Sequence, residues 1–464
     1  MFLSALFNDK KAVKAELKAS FSLIWPIVMT NLAQTAMVTI NLSLMGWENA
    51  ETLAAGALGT NLFYIFMVFG TALMTAISPV IAVELGRNRH AVKEIQSSVR
   101  QVFWTAIIIV IPIWCILWNS EGIFLLMRQD PESSRIAGHY TFVLMWSLAP
   151  LYGYMILRSF FATLERPGWT LVFGLGAVFL DFLIAWSLMF GKFGMPRLGL
   201  TGIGIAIFCA DSFMFLGLVI ISLCDRQIRR YWIFSGFFRP DWARFRAIWR
   251  IGLPIAIAAT FETTVFSVAG FAMKKIGTEQ MAAHSIAIQI SSISFMVPFG
   301  IAQAVTVRVG RSWGARDLIG MQRAGWTCIA LTILFMSSMA AIMTFFPMRL
   351  IQIFLDIRLP ENAEVIAYAK QFLVFAALFQ IADGTQTVSS GMLRGLHDTK
   401  VPMMLAGLGY WGITIPLGLF LAFHTSLSGL GIWVGLAVGL SLAAILLLSR
   451  WIRKSRSVKF FAGN

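Results

Sequence analysis

The sequence predicts an all-α membrane protein, with twelve transmembrane helices in two pseudo-symmetric six-helix lobes around a central cleft. Three observations carry that expectation. Apolar blocks of about 20 residues, enough to cross a bilayer as a helix, recur along the whole 464-residue chain. Charged residues make up only 13% of it, against about a quarter in soluble domains. The two halves of the chain also match each other at a nearly constant offset.

The blocks place spans near 21–46, 53–83, 98–119, 137–163, 169–190, 199–223, 250–273, 281–307, 325–347, 366–391, 401–423 and 430–450. Several exceed the minimum length, so tilting or kinking is expected. The alternating ten-residue segments of a membrane β-barrel do not occur. Pro26, Pro112, Pro150, Pro254 and Pro298 fall inside spans or near their ends, where a missing N–H can bend a helix. Met1 to Phe7 is too short for the apolar core of a signal peptide, so the first span is expected to remain in the protein. Cys115, Cys209, Cys224 and Cys328 lie in or at the ends of apolar segments without metal-ligand spacing, and read as buried apolar residues.

An offset of 228 aligns Pro26 with Pro254, Ala54-Ala55 with Ala282-Ala283, and Gly86 with Gly314. At 227, Gly202-Ile203-Gly204 meets Gly429-Leu430-Gly431. Six spans per half is an even number, so both halves share one orientation, related by an axis along the membrane normal. The division expected is an N-terminal lobe over 1–224, a linker over 225–249 and a C-terminal lobe over 250–464. The segment from Asp225 to Arg250 carries seven arginines interleaved with Tyr231, Trp232, Phe234, Phe237, Phe238 and Trp242. The net charge of +15 invites a nucleic-acid reading, but an interfacial helix among lipid headgroups explains the segment more simply. With both termini on one side, 28 of the 37 Lys and Arg fall on that side and 9 on the other. That asymmetry marks the richer side as cytoplasmic.

Most of the 22 acidic residues sit in loops or at span ends. Four lie near mid-span: Asp181, Asp211, Glu262 and Asp383. A charge at mid-bilayer costs about 2.5–3.5 kcal/mol on insertion scales, so such residues face a cavity or a partner. No Lys or Arg stands clearly mid-span to neutralise them, which leaves a proton, a metal ion or a cationic substrate. A carboxyl that merely hydrogen-bonds a neighbouring helix is the plainer alternative for each. Gln34, Asn41 and Gln289 are polar groups within apolar helices, suited equally to helix-to-helix bonding and to lining a cavity. His284, at the start of span eight, reads as a packing or capping residue.

Four motifs occur in order: Phe261-Glu262, then Met281-Ala282-Ala283-His284, then Val307-Arg308-Val309-Gly310, then Gln380-Ile381-Ala382-Asp383 leading into Leu393-Arg394-Gly395-Leu396-His397-Asp398. In this order and spacing the chain resembles the multidrug and toxic compound extrusion family, in particular its NorM branch, over essentially its whole length. The resemblance implies a V-shaped cleft between the lobes. It implies antiport of cationic or lipophilic drugs against sodium ions or protons, in a bacterial inner membrane. It assigns the second-lobe cation site to Glu262 and Asp383, which would also ligate a metal ion if sodium is the coupling ion. Asp181 is the first-lobe candidate, with Asn41, Gln34, Asp211, Gln289 and Phe379 as pocket candidates. The family often has an aspartate where this chain has Asn41 and an asparagine where it has Asp181, as if the carboxylate had crossed one pocket. It often has a tyrosine where Phe379 stands.

A lipid-linked oligosaccharide flippase of the same superfamily is the alternative. Its anionic headgroup would call for basic residues in the cleft, whereas the mid-span groups here are acidic. An enzyme would show HExxH, GxSxG or a comparable motif, and none is present. The expectation is therefore a transporter, not an enzyme, acting on small molecules in the bilayer, without cofactor or nucleic acid, as a monomer. From the Lys/Arg asymmetry, both termini and the 225–250 linker should be cytoplasmic. Reporter fusions check this: a C-terminal reporter active only in the periplasm overturns the topology.

Overall fold

The computed structural model describes residues 10–88 and 90–457; the expectation about Met1 to Phe7 lies outside them. Among the described residues twelve helices are long and apolar enough to cross a membrane: α1 Lys11–Glu48, α2 Glu51–Arg87, α3 Val92–Trp118, α4 Pro131–Thr163, α5 Gly168–Phe190, α6 Leu200–Cys224, α7 Trp242–Ile276, α8 Thr278–Gly314, α9 Leu318–Phe345, α10 Pro360–Gly395, α11 Lys400–His424 and α12 Gly429–Arg456. They coincide with the twelve apolar blocks but extend further. At 1.5 Å per residue, the 38 residues of α1 reach about 57 Å, well beyond a hydrocarbon core of about 30 Å. Large apolar side chains such as Phe179, 69% exposed, stand outward where hydrocarbon would meet them.

The chain forms two compact units. One comprises residues 10–24, Leu85–Arg87 and 257–457, the other Trp25–Glu84 and 90–256 together with Asn88. The grouping departs from a division at residues 224 and 250, because the first helix of each repeat begins among the partners of the other repeat. Glu16 accepts two bonds from the Arg308 guanidinium, at 3.0 and 2.6 Å. Arg244 reaches Glu84 at 3.9 Å and Asp241 at 3.2 Å. Glu16 and Arg244 each stand ten residues before the repeated proline, so the two clasps are equivalent in place and opposite in charge. Asp241 takes part in several bonds. Its burial would raise its pKa, but the backbone N–H of Arg244, the Ser97 hydroxyl and the charges of Arg244 and Arg100 outweigh that and hold it low.

The repeat also survives in backbone geometry. Gly199 and Ser428, immediately before α6 and α12, share an unusual conformation (φ 54°, ψ −132° and φ 49°, ψ −127°). Each accepts a bond at 3.0 Å from the residue three further on, Gly202 and Gly431. The backbone therefore pairs Gly202 with Gly431, not with Gly429 as the glycine pattern alone suggests.

Two further expectations are corrected. The segment after Asp225 is no interfacial helix: one short turn, Arg226–Arg229, is followed by turns up to α7. Part of its aromatic set packs inward on α3, with Phe237 stacked on Trp104 at 5.6 Å and Phe234 against Phe103 at 5.9 Å, while Trp232, Phe238 and Trp242 stay exposed. The indole N–H of Trp104 caps the Phe237 carbonyl. A cluster of aromatic contacts thus replaces the periodicity a surface helix would need. Among the cysteines only Cys328 is buried, while Cys115 and Cys224 are exposed. In a bilayer an apolar side chain can satisfy itself against lipid as well as against protein.

In the second repeat α10 packs against α8, α9 and α12. The approach of α8 and α10 depends on a small residue: a Cβ at Gly391 would lie 2.5 Å from the Ala302 carbonyl oxygen and 3.0 Å from Val305. Thr306 seals the seam by donating to the Gly391 carbonyl at 2.9 Å. Gly391→Val should therefore cost about 1–3 kcal/mol or more through overpacking, read as a lowered thermal midpoint. Gly270→Ala, where nothing stands within 4 Å, should leave the midpoint almost unchanged. Equal midpoints for the two variants would refute this account of the seam.

Candidate functional site

In the second repeat, Glu262 on α7 and Asp383 on α10 come within electrostatic reach of each other. Glu262 sits deep among protein atoms yet keeps a partial opening, while Asp383 is 5% exposed. One oxygen of Asp383, Oδ1, has no hydrogen-bond partner. The neighbourhood holds three groups that span-by-span reading missed. Tyr410 on α11 is fully buried; its hydroxyl donates to Gln386 Oε1 at 2.9 Å and lies against the Glu262 carboxyl. Arg394, near the end of α10, faces both Glu262 and Tyr410. The expectation that no fixed cation stands near these carboxylates is thus corrected. Arg394 lies beyond the apolar block 366–391, but the helix continues through it to Gly395.

Local winding explains the position of Tyr410. Leu408–Thr414 forms a π-helical stretch, and the Thr414 hydroxyl donates to the Gly409 carbonyl five residues back at 3.0 Å. Such stretches recur at functional sites because the extra residue per turn re-aims side chains. The preceding Gly407 lets α11 close on α7, since a Cβ there would lie 3.0 Å from the Phe261 ring. The one legible signal was a tyrosine inside an apolar span that contains no acidic residue.

Phe379 is a core residue, 2% exposed and packed on Trp433 at 5.6 Å. His284 packs on the same indole at 5.4 Å. Gln289 is half-buried on α8.

In the first repeat, Asp181 on α5 is fully buried and neither carboxylate oxygen has a partner within hydrogen-bond geometry. Asn41 of α1, Tyr140 of α4 and Asp211 of α6 surround it. Asn41 is beside Asp181, but no bond between them meets hydrogen-bond geometry, and Asn41 Oδ1 is also without a partner. Gln34 is elsewhere engaged. It accepts at 2.9 Å from Arg158 of α4, which is 3% exposed and also donates to Asn31. Arg158 is a second buried cation that the sequence had hidden. It lies about 8 Å from the end of α4, by 1.5 Å per residue, a distance at which a long side chain can equally well snorkel to the surface.

Among the described residues, no group of three His, Cys, Asp or Glu could hold a metal ion. What the geometry offers in the second repeat is two carboxylates and one guanidinium. If both carboxylates are ionised they leave one uncancelled negative charge, suited to a single monovalent cation or a proton taken on at the carboxylates.

Fold and site together define a polytopic carrier built from a duplicated six-helix unit. The MatE family model matches the chain twice, over residues 26–187 and 254–420, and the chain belongs to that family. The two matches begin 228 residues apart, at Pro26 and Pro254. The chain is 49% identical to a probable multidrug resistance protein NorM of Mesorhizobium japonicum over 96% of its length and 95% of that protein's. To the like-named protein of Brucella suis it is 46% identical, over 94% and 93%. A eukaryotic MATE transporter shares the fold with a TM-score of 0.83 at 19% identity, covering 97% of this chain and 99% of that one. A MOP-superfamily transporter from Pyrococcus furiosus does so at 0.84 and 17% identity, covering 96% and 97%.

Tyr410→Phe should leave the buried Gln386 carbonyl without its donor. The expected cost is about 1–3 kcal/mol, seen as a lower thermal midpoint, together with weaker cation dependence of transport. A variant as stable and as cation-dependent as the parent would remove Tyr410 from the site.

Proposed function

We propose that this chain is a secondary active exporter of cationic or lipophilic drugs and dyes in a bacterial inner membrane, exchanging them for sodium ions or protons. Relatives up to 49% identical over nearly the whole chain are named multidrug resistance proteins, which supports the substrate class. The observation that carries the coupling is the buried pair Glu262 and Asp383, of which Asp383 Oδ1 is left without a partner. A cation entering there would meet carboxylate oxygens already taken out of water, so its binding needs little further desolvation of the protein. Arg394 cancels part of their charge, which limits the pair to one monovalent ion at a time. Occupation of the pair by a coupling ion and by a cationic substrate would then be mutually exclusive, and that competition links the two fluxes.

Asp181, beside Asn41 and Asp211, supplies a second exchangeable carboxyl in the first repeat. Both termini face the cytoplasm in this reading, which the Lys/Arg asymmetry supports. Turnover of substrate is transport without chemistry, in keeping with relatives named for drug resistance. The flippase alternative loses its sharpest objection, since Arg158 and Arg394 are buried basic groups. It still lacks a basic cluster, because each arginine stands against acceptors or acids of its own repeat.

The test is dye efflux from proteoliposomes under separately imposed proton and sodium gradients. Glu262→Gln and Asp383→Asn should each abolish gradient-driven efflux, at least tenfold, while folded protein remains. Asp181→Asn should weaken it. Efflux at the parental rate in both second-repeat variants would exclude the pair as the coupling site.

A further inference from the structure

At position 34 the two repeats differ in charge within the membrane. Gln34 and Glu262 each stand eight residues after the repeated proline, on uninterrupted helices that contain those prolines, so they occupy one position of the repeat. In the second repeat that position is a carboxylate, facing α10 and its Asp383 and Arg394. In the first it is a neutral amide, and α4, the helix corresponding to α10, brings Arg158 to it. Arg158 Nη1 donates to Gln34 Oε1 at 2.9 Å, and Nη2 donates to Asn31 Oδ1. Met155 is a further neighbour, its sulfur 4.0 Å from Nη1. Tyr154 is within electrostatic reach of both Arg158 and Asp211. The guanidinium is 3% exposed and does not lose its proton in proteins.

We infer that Arg158 is a tethered cation, held in the first repeat at the position where the second repeat binds an exchangeable one. The inference rests on the coupling role of Glu262. A mobile cation has no reason to enter beside Gln34: the amide oxygen is already taken, and a fixed positive charge stands 2.9 Å away. Arg158 is therefore a positioning residue that closes this place to exchange and leaves Asp181 as the exchangeable group of its repeat. The number of ions moved per drug is, on this account, limited by one arginine on α4. A purely structural Arg158 would also satisfy Gln34 and Asn31, but it would set no stoichiometry.

The experiment measures the cation-to-substrate ratio from reversal potentials in proteoliposomes, with a lipophilic cationic dye as substrate and proton or sodium gradients imposed separately. In Gln34→Glu the new carboxylate meets the guanidinium directly, and the ratio should stay at the parental value. In the double variant Gln34→Glu with Arg158→Gln, a carboxylate stands there without its cation, and the ratio should rise by one. A raised ratio in the single variant overturns the inference. So does a parental ratio in a double variant whose thermal unfolding shows it to be folded. If the double variant does not fold, the single variant decides alone: a parental ratio supports the inference, a raised one defeats it. Glu262→Gln is measured alongside. If it leaves coupled exchange intact, the coupling reading has failed; if it abolishes coupling, the ratios at position 34 judge Arg158 independently.

Discussion

Hydrocarbon offers no hydrogen-bond partner, and nearly everything in this structure follows from that constraint. It makes each crossing segment a helix. It also turns small hydroxyls back onto their own helices: Thr30 donates to the Pro26 carbonyl at 2.7 Å, Ser291 to Ala287 at 2.8 Å and Thr332 to Cys328 at 2.8 Å. Thr30 shows the economy of the arrangement, since it engages the carbonyl of the proline inside α1. Against that background, unsatisfied carboxylate oxygens stand out. Among the described residues they belong to Asp181, Asp383 and Glu48. Glu48, at the end of α1, has its other oxygen bonded to Arg197. The remaining two are mid-span and mark the two repeats' carboxylate clusters.

The duplicated scaffold has been filled with different chemistry. The second repeat gathers Glu262, Asp383, Tyr410, Gln386 and Arg394, so its acid pair is crossed by a fixed positive charge and a hydroxyl. The first places Asp181 and Asp211 near each other, and gives its guanidinium to amides instead. The clasps at the starts of α1 and α7 show the same freedom, since Glu16 and Arg244 hold equivalent places with opposite charge. Duplication preserves the path of the backbone, as Gly199 and Ser428 show, because helix packing constrains small residues and turns. It preserves charge only where a partner demands it.

Tyr410 illustrates how winding can substitute for sequence. The aromatic hydroxyl that the family often carries on span ten is absent at Phe379, which is packed into the core against Trp433. A π-helical stretch on α11 instead delivers a hydroxyl to Glu262 from another direction. Gly407 and Gly409 make this possible, the first by admitting the Phe261 ring and the second by lying close to the Gly439 carbonyl and Ala443.

The amino-acid sequence by itself determined the twelve crossings, the duplication and the four mid-span acids. Each is a local quantity: a run of apolar residues, a repeated proline, a carboxylate in the middle of a span. Tertiary structure alone decided what those acids meet. Whether Arg158 snorkels to the headgroups or turns inward depends on Asn31 and Gln34, which are more than 120 residues away in the chain. Whether Arg394 counts as a span residue depends on where α10 ends. Whether the linker aromatics lie among lipids or against α3 depends on rings 130 residues apart. An arginine or tyrosine can satisfy its polar end in water or in protein at similar cost, so composition does not choose between them. Only the neighbouring helix does, by presenting an acceptor within 3 Å.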